Sequence, residues 1–296
     1  MIINKSGTGQ ALSSKNTKKL FVRCGRYKLD LTHTCIMGIL NVTPDSFSDG
    51  GKYFNHNSAI ERALEMEGQG ADIIDIGAES SRPGASAVSA DEQIKRIGSI
   101  VKVLCKKLKI PLSIDTSSIE VARYCLDFGA SIINDIFALR NDHSLGGLIK
   151  EYKAGVVLMH LKGAPRTMQD CPEYSNLITE IISFLSAAKQ RALSCGICEQ
   201  SIMLDPGIGF GKTTAHNLRI IKFLADFSGL NSPLLLGVSR KSFIGNVLNL
   251  PVKERDFGTA ASVAAVILNG ADIVRVHNVA QMRQVVLMID ALGDCI

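Results

Sequence analysis

The sequence predicts an α/β protein, a single (β/α)8 barrel of the TIM type, and three observations carry that prediction. Eight short, β-branched apolar runs alternate with amphipathic stretches along the whole chain. Each run is continuously apolar rather than alternating, which suits parallel strands covered on both faces. The phrase joining helix to strand also recurs, as QGADII, FGASII and NGADIV, with a glycine placed to cap the helix in the left-handed conformation.

The strands expected are CIMGIL, DIIDIG, PLSIDT, SIINDI, GVVLMH, SIMLDP, LLLGVS and DIVRVH. The helices expected between and after them are Ser58–Gly70, Asp91–Lys109, Ser118–Gly129, His143–Tyr152, Ser175–Ser194, Thr214–Phe227, Arg240–Leu250 with Gly258–Gly270, and Val279–Leu292. Even spacing over eight units favours a closed barrel over an open doubly wound sheet. Ahead of them, LFVRCGRYKLDL places a Gly-Arg turn between two short apolar runs and reads as a hairpin on the barrel's N-terminal side. The organisation expected is a basic, disordered arm over residues 1–19 and one catalytic domain over 20–296.

The bulk properties exclude several classes. A chain of 296 residues, 46% hydrophobic and 21% charged, is ordinary globular composition. The net charge of +5 is uneven: residues 1–29 hold seven Lys and Arg and no acid, so the remainder is slightly acidic. That distribution argues against a nucleic-acid-binding body. No apolar run is long enough for a membrane span, and the first residues lack the apolar core of a secretory signal. The 8 cysteines read as reduced and mostly buried, in a cytoplasmic protein. The one CxxC, CGIC at 195–198, reads as a helix-end feature.

In a barrel of this kind the chemistry sits where the strands end. There the sequence supplies Asn41, Glu79 with Arg82, Asp115, Asn134, His160, Asp205, Ser239 to Lys241, and Arg275 with His277. Bland readings exist for several. Asp115, or Ser117 more naturally, would cap a helix. Asn134 and Asp135 would cap the segment after their strand, Asp205 before Pro206 would open a turn, and His160 would be a satisfied core group. Arg275 and His277 differ, because two residues apart on a strand they share a face and can hold an anion. DPGIGFGK, residues 205–212, lacks the GxxxxGK[ST] order of a phosphate loop. Two Asp, an Asn and a Lys match the N–H and carbonyl pattern of a planar guanidine-bearing heterocycle. The cationic cluster suits a diphosphate, with a metal held by an oxygen ligand on a loop, and Ser242 opens a helix where a carboxylate would be welcome.

Read in order, MGILNVTPDSFSDGG, DIGAESSRPGA, SIDT, NDI, LMHLKGAPRTMQ, LDPGIGFGK, GVSRKSFIG, GTAA and RVH resemble the dihydropteroate synthase family from about Cys35 to Ile289. The resemblance implies condensation of 6-hydroxymethyl-7,8-dihydropterin diphosphate with p-aminobenzoate, giving 7,8-dihydropteroate and diphosphate. It implies that Asn41 binds Mg²⁺. It implies that Asp115, Asn134, Asp205 and Lys241 line the pterin slot with Met159 against the ring, and that Ser81, Arg82, Arg275 and His277 serve the diphosphate. Phe47, Pro83, Lys241 and Ser242 would form the p-aminobenzoate site, where sulfonamides also bind. Asp115, Lys241, Arg275 and His277 are the expected catalytic set, acting in a dissociative displacement under two covering loops, TPDSFSDGG and SSRPGA. A homodimer, with no nucleic acid or membrane partner, is the family expectation. Three positions depart from the pattern: Ser81 and Ala164 where Thr is common, and Asn278 where Asp is common, which removes a charge partner near His277. The rivals are a methyltetrahydrofolate-dependent methyltransferase barrel, which would lack the TPDSFSDGG and SRKS loops, and a non-catalytic pterin-binding paralogue.

Overall fold

The computed structural model describes residues 21–42, 52–79, 88–141, 143–163, 167–168 and 172–295. The arm over 1–19, the two covering loops, and Phe47, Ser81, Arg82, Pro83 and Ala164 lie outside the described residues.

β1 (Phe21–Cys24) and β2 (Tyr27–Asp30) form the antiparallel hairpin, turning at Gly25, which takes φ 58. Its alternation points Val22, Cys24 and Leu29 to one side. These residues, with Leu31, join one buried cluster with Cys35, Met37, Ile73, Ile132, Val157, Met203, Leu235 and Ile273. The hairpin is therefore the floor of the barrel, and the N–H of Gly25 donates to the Lys153 carbonyl at 2.9 Å to hold it there.

The barrel strands are β3 (Cys35–Asn41), β4 (Ile73–Gly77), β5 (Leu112–Asp115), β6 (Ile132–Asp135), β7 (Gly155–Met159), β8 (Ile202–Asp205), β9 (Leu235–Leu236) and β10 (Ile273–Val276). They pair in parallel in the order β8-β7-β6-β5-β4-β3-β10-β9. A parallel bridge between Leu204 and Leu234 closes the ring, which removes the open-sheet alternative.

The residues inside and outside this ring follow the two-residue period of a strand. Ile36, Leu40, Ile74, Ile76, Leu112, Ile114, Ile133, Val156, Leu158 and Val274 face the helices. The intervening positions face inward, and above the apolar floor these are Asp75, Ser113, Asp115, Asn134, Met159, Asp205 and Arg275. The inner face is thus apolar at one end and charged at the other.

The recurring phrase has a structural cause. Gly70, Gly129 and Gly270 take φ values of 95, 105 and 103°, ending the preceding helices as left-handed caps. In the two GAD copies the aspartate then ties down the neighbouring strand. Asp72 accepts from the N–H of Ile36 at 2.8 Å, and Asp272 accepts from the N–H of Leu234 at 2.8 Å.

The helices are α1 (Lys52–Gly68), α2 (Ala90–Lys107), α3 (Ile119–Asp127), α4 (His143–Glu151), α5 (Leu177–Ser194), α6 (Thr214–Lys222), α7 (Ser242–Leu248), α8 (Asp256–Leu268) and α9 (Val279–Asp294). Several details differ from expectation: α1, expected from Ser58, already begins at Lys52, and α8, expected from Gly258, begins at Asp256. The cap of α3 is Ser118, whose hydroxyl accepts from the Val121 N–H, rather than Asp115 or Ser117. The helix expected over Thr214–Phe227 stops at Lys222, and Leu224–Leu230 forms a 3-10 helix. Leu224, Phe227 and Leu230 are buried at a spacing of three, so the tighter winding puts them all on the core side. The helix expected from Arg240 starts at Ser242, because Arg240 takes a left-handed φ of 56°.

Cys24, Cys35, Cys105 and Cys125 are buried free thiols. Burial pushes Cys24 and Cys125 up to about 12 and Cys105 to about 11, so they act as small hydrophobes. Cys195 and Cys198 are also free, with Cys195 capping the end of α5.

Because the hairpin fills the floor, Leu29→Ala should lower the unfolding free energy by about 2–5 kcal/mol. Lys28→Ala, on its exposed face, should cost no more than about 1 kcal/mol. Urea denaturation reads both, and equal small losses would show that the hairpin is not part of the core.

Candidate active site

The charged end of the barrel is organised by Arg275 on β10. Its Nε donates to Asp75 Oδ2 at 2.7 Å and its Nη2 to Asp115 Oδ2 at 3.1 Å. Asp75, on β4, is 0% exposed and also accepts from Ser113 Oγ at 2.6 Å and from Asn134 Nδ2 at 3.2 Å. A carboxyl group buried this deeply needs its oxygens satisfied by donors, and these three supply them. The guanidinium suits the task because its planar fork can address two acids at once.

Asp115 follows on β5, directly between Gly77 and Asn134 in register. Its carboxyl is held above the usual carboxylate range. Burial is the main cause, Arg275 and Lys241 oppose it, and Asp75 and Glu79 add to it. Asp205, at the end of β8, is raised to about 6 by burial, against the Gly207 N–H at 2.7 Å and the charges of Lys241, Lys212 and Arg275. The mouth therefore gathers three aspartates and three cations, each of them buried or half-buried.

Beside them lies an apolar wall. Met159, Leu161, Met168 and Phe210 form one buried cluster, with Ile136 and Phe137 packed against it. Lys241 Nζ sits 4.1 Å from the centroid of the Phe210 ring. Gly209 takes φ +83°, and a Cβ there would come within 3.2 Å of Lys241 Cδ, so glycine at this position keeps the lysine stem close. The result is a slot with one greasy side and a floor of acceptors.

A neighbouring cleft of about 560 Å³ is lined by Asn41, Arg62, Arg240, His277 and Asn278 among others. His277 Nδ1 lies 2.9 Å from Ser239 Oγ, which also accepts from the His277 backbone N–H at 3.3 Å. Arg240 makes a bidentate pair with Asp256 at 2.7 and 2.9 Å, which supports its left-handed backbone. That pairing holds the Asp256 carboxyl below the usual range. Asn278 caps α9 through the Gln281 N–H and reaches Asp256 at 3.5 Å.

The structure thus brings together Asp115, Asn134, Asp205, Lys241 and Arg275, with Met159 on the wall and Asn41 and His277 in the adjoining cleft. Ser242 is exposed at the first turn of α7. Phe47, Ser81, Arg82 and Pro83 lie outside the described residues. His160 points elsewhere: its ring packs edge-on against Phe184 at 4.8 Å, and its Nδ1 meets Lys212 Nζ at 2.8 Å. It is the satisfied core histidine that its position allows. Asp135 likewise serves structure, accepting from Ser117 Oγ and from the N–H groups of Phe137 and Leu139. Sequence reasoning missed Asp75, Phe210 and Lys212. For Asp75 the signal was a lone acid within the apolar run IIDIG, two residues before Gly77 and so on the inner face.

Comparison with known proteins gives the same picture. The family model described as pterin binding enzyme matches residues 37–277. A dihydropteroate synthase of Synechocystis is 46% identical over 260 residues, 88% of this chain and 90% of that protein. The Yersinia pestis dihydropteroate synthase, solved with a sulfonamide drug complex, superposes with a TM-score of 0.88 at 38% identity, covering 93% of this chain and 99% of that one. The Clostridium difficile dihydropteroate synthase, solved in the presence of pteroic acid, gives a TM-score of 0.83 at 42% identity over 91% and 98% of the two chains. By sequence, fold and site together, the chain belongs to the pterin-binding enzyme family and, within it, to the dihydropteroate synthases.

Proposed function

We propose that this chain condenses 6-hydroxymethyl-7,8-dihydropterin diphosphate with p-aminobenzoate. The observation that carries the reading is the Arg275 fork spanning Asp75 and Asp115, with Asn134 beside it and Asp205 and Lys241 completing the mouth. Asp205 accepts from the pterin N–H groups, and Asn134 and Lys241 supply the complementary donors. Met159 packs on the ring face. Asp115 lies beneath the slot, where negative charge stabilises a pterin methylene cation as its C–O bond breaks. The amine nitrogen of p-aminobenzoate is neutral at pH 7; it forms the new C–N bond and releases one proton, while diphosphate leaves.

Arg275 uses two of its five N–H groups on the carboxylates, and the rest of the fork addresses the diphosphate together with His277. Ser81 and Arg82 join that side, and Phe47, Pro83, Lys241 and Ser242 take p-aminobenzoate and sulfonamides. Asn41, half-buried at the end of β3, is the residue that would hold a Mg²⁺ ion, since its side-chain oxygen is the hard donor such an ion takes. Bound there, the ion supplies charge neutralisation of the leaving group. One barrel domain over 20–296 follows an arm over 1–19. A homodimer is in keeping with the exposed Val247, Phe257, Leu268, Leu287 and Met288 on the last three helices. No helix among the described residues is long and apolar enough to cross a membrane, in keeping with a cytoplasmic enzyme.

Asp115→Asn should cut kcat by about 10²–10³ while leaving p-aminobenzoate affinity near its normal value. Because burial makes the ionised Asp115 costly, this variant should melt no lower than the parent. Turnover with labelled p-aminobenzoate and a thermal melt decide; undiminished turnover would overturn the assignment. Asn41→Ala should raise the Mg²⁺ concentration needed for half-maximal turnover, and chelation should abolish the activity of both proteins. An unchanged Mg²⁺ requirement would remove Asn41 from the metal site.

A further inference from the structure

The end of the barrel opposite the charged mouth carries a second group of chemically active side chains. His33 lies on the link between β2 and β3, Cys35 is the first residue of β3, and Asp72 immediately precedes β4. Each brings one ligand atom into a common space, and these three atoms lie within 4.8 Å of one another. Cys35 is fully buried in the floor of the barrel, while the His33 side chain is 40% exposed and opens the cluster to solvent.

The cluster is held from outside. Thr34, between the first two residues, is clamped by Asp290 of α9, which accepts from its N–H at 2.9 Å and from its hydroxyl at 2.7 Å. Asp72 uses Oδ2 to accept from the Ile36 N–H at 2.8 Å, with Arg283 Nη1 3.7 Å from the same oxygen. Its other oxygen, Oδ1, faces His33 Nε2 at 3.7 Å, too far for a hydrogen bond. Among the described residues, neither Asp72 Oδ1 nor the His33 ring has a hydrogen-bond partner. A tetrahedral ion with bonds of about 2.0–2.3 Å sets its ligand atoms about 3.3–3.6 Å apart. The His33–Asp72 separation is close to that already, and rotation of the exposed imidazole can close the remainder.

We propose that His33, Cys35 and Asp72 form a binding site for a divalent ion of the zinc class, a clip that ties the exit of the hairpin and the start of β3 to the entrance of β4. One imidazole nitrogen, one thiolate and one carboxylate oxygen are a donor set that zinc takes, with water in the fourth place. The thiolate and the carboxylate together neutralise a divalent ion, so no net charge is left at the buried sulfur. Binding exchanges the S–H bond for a metal–sulfur bond. The proton, which the thiol now donates to the Asp30 carbonyl at 3.0 Å, passes to solvent. The Ile36 N–H steadies the Asp72 carboxylate from its far oxygen, as an outer partner does for a metal ligand. Arg283 on that same oxygen opposes the ion's charge and keeps the site weaker than a closed structural centre. Mg²⁺ prefers an all-oxygen shell and is refused here, so this site is chemically separate from the one at Asn41.

The test is a Co²⁺ titration of the full chain, carried out with Cys171→Ser, Cys198→Ser and Cys295→Ser in place so that thiols elsewhere do not compete. A sulfur-to-cobalt charge-transfer band should grow in and saturate at a single equivalent. Zn²⁺ should bleach it, and Mg²⁺ should leave it unchanged. Cys35→Ser should abolish the band. His33→Ala, a change at an exposed side chain that leaves the core intact, should weaken Co²⁺ by more than about tenfold. Saturating Zn²⁺ should also raise the melting temperature by a few degrees, and His33→Ala should remove that rise. Absence of the band, its survival in Cys35→Ser, or unchanged affinity in His33→Ala would overturn the proposal.

Discussion

One guanidinium held between two acids organises the mouth of this barrel. Arg275 lies on β10, which pairs with β3 on one side, yet its partners lie beyond β3, on β4 and β5. The two bonds therefore cross the inside of the ring and join segments 200 and 160 residues apart. Without that positive charge, the Asp75 and Asp115 carboxyls would face each other with no cation between them, in a site where burial already raises Asp115. Breaking a buried pair on one side typically costs about 3–5 kcal/mol because the other charge is left behind.

The same acids set stability against function. Asp205 is raised to about 6 in the folded chain, against about 3.9 for an unfolded aspartate, and Asp115 is shifted in the same direction. The folded state binds more protons than the unfolded state over that interval, so these groups make the protein less stable as pH rises through it. A ligand that donates N–H groups to these anions would offset part of this cost. The site is thus poised for a ligand with donors, at some expense to the empty barrel.

Much of this was legible in the chain of residues, for reasons that are local. Eight continuous apolar runs can hardly be anything but covered parallel strands, and the GAD phrase marks both a left-handed cap and a carboxylate tie to the strand alongside, which precedes it in the chain. Asp115, Asn134, Asp205 and Lys241 could be grouped because strand ends in a closed barrel share one rim. What escaped was decided by distant contacts. Asp75 is one acid in an apolar pentapeptide until Arg275 is brought to it from the far end of the chain. Arg240 looks like a helix start until Asp256 fixes its guanidinium. The break after Lys222 reflects which side of Leu224, Phe227 and Leu230 the core lies on, which no local propensity states. His160 was open to either reading, and its packing against Phe184 and Lys212 decides for structure.

The most direct measurement is a double-variant cycle on the Arg275–Asp75 pair, read as unfolding free energy in urea. Arg275→Met and Asp75→Leu should each destabilise the chain by about 3–5 kcal/mol, and the double variant should be more stable than either single one. If the two losses simply add, the barrel mouth is not held by this charge pair, and the account of the site built on it is wrong.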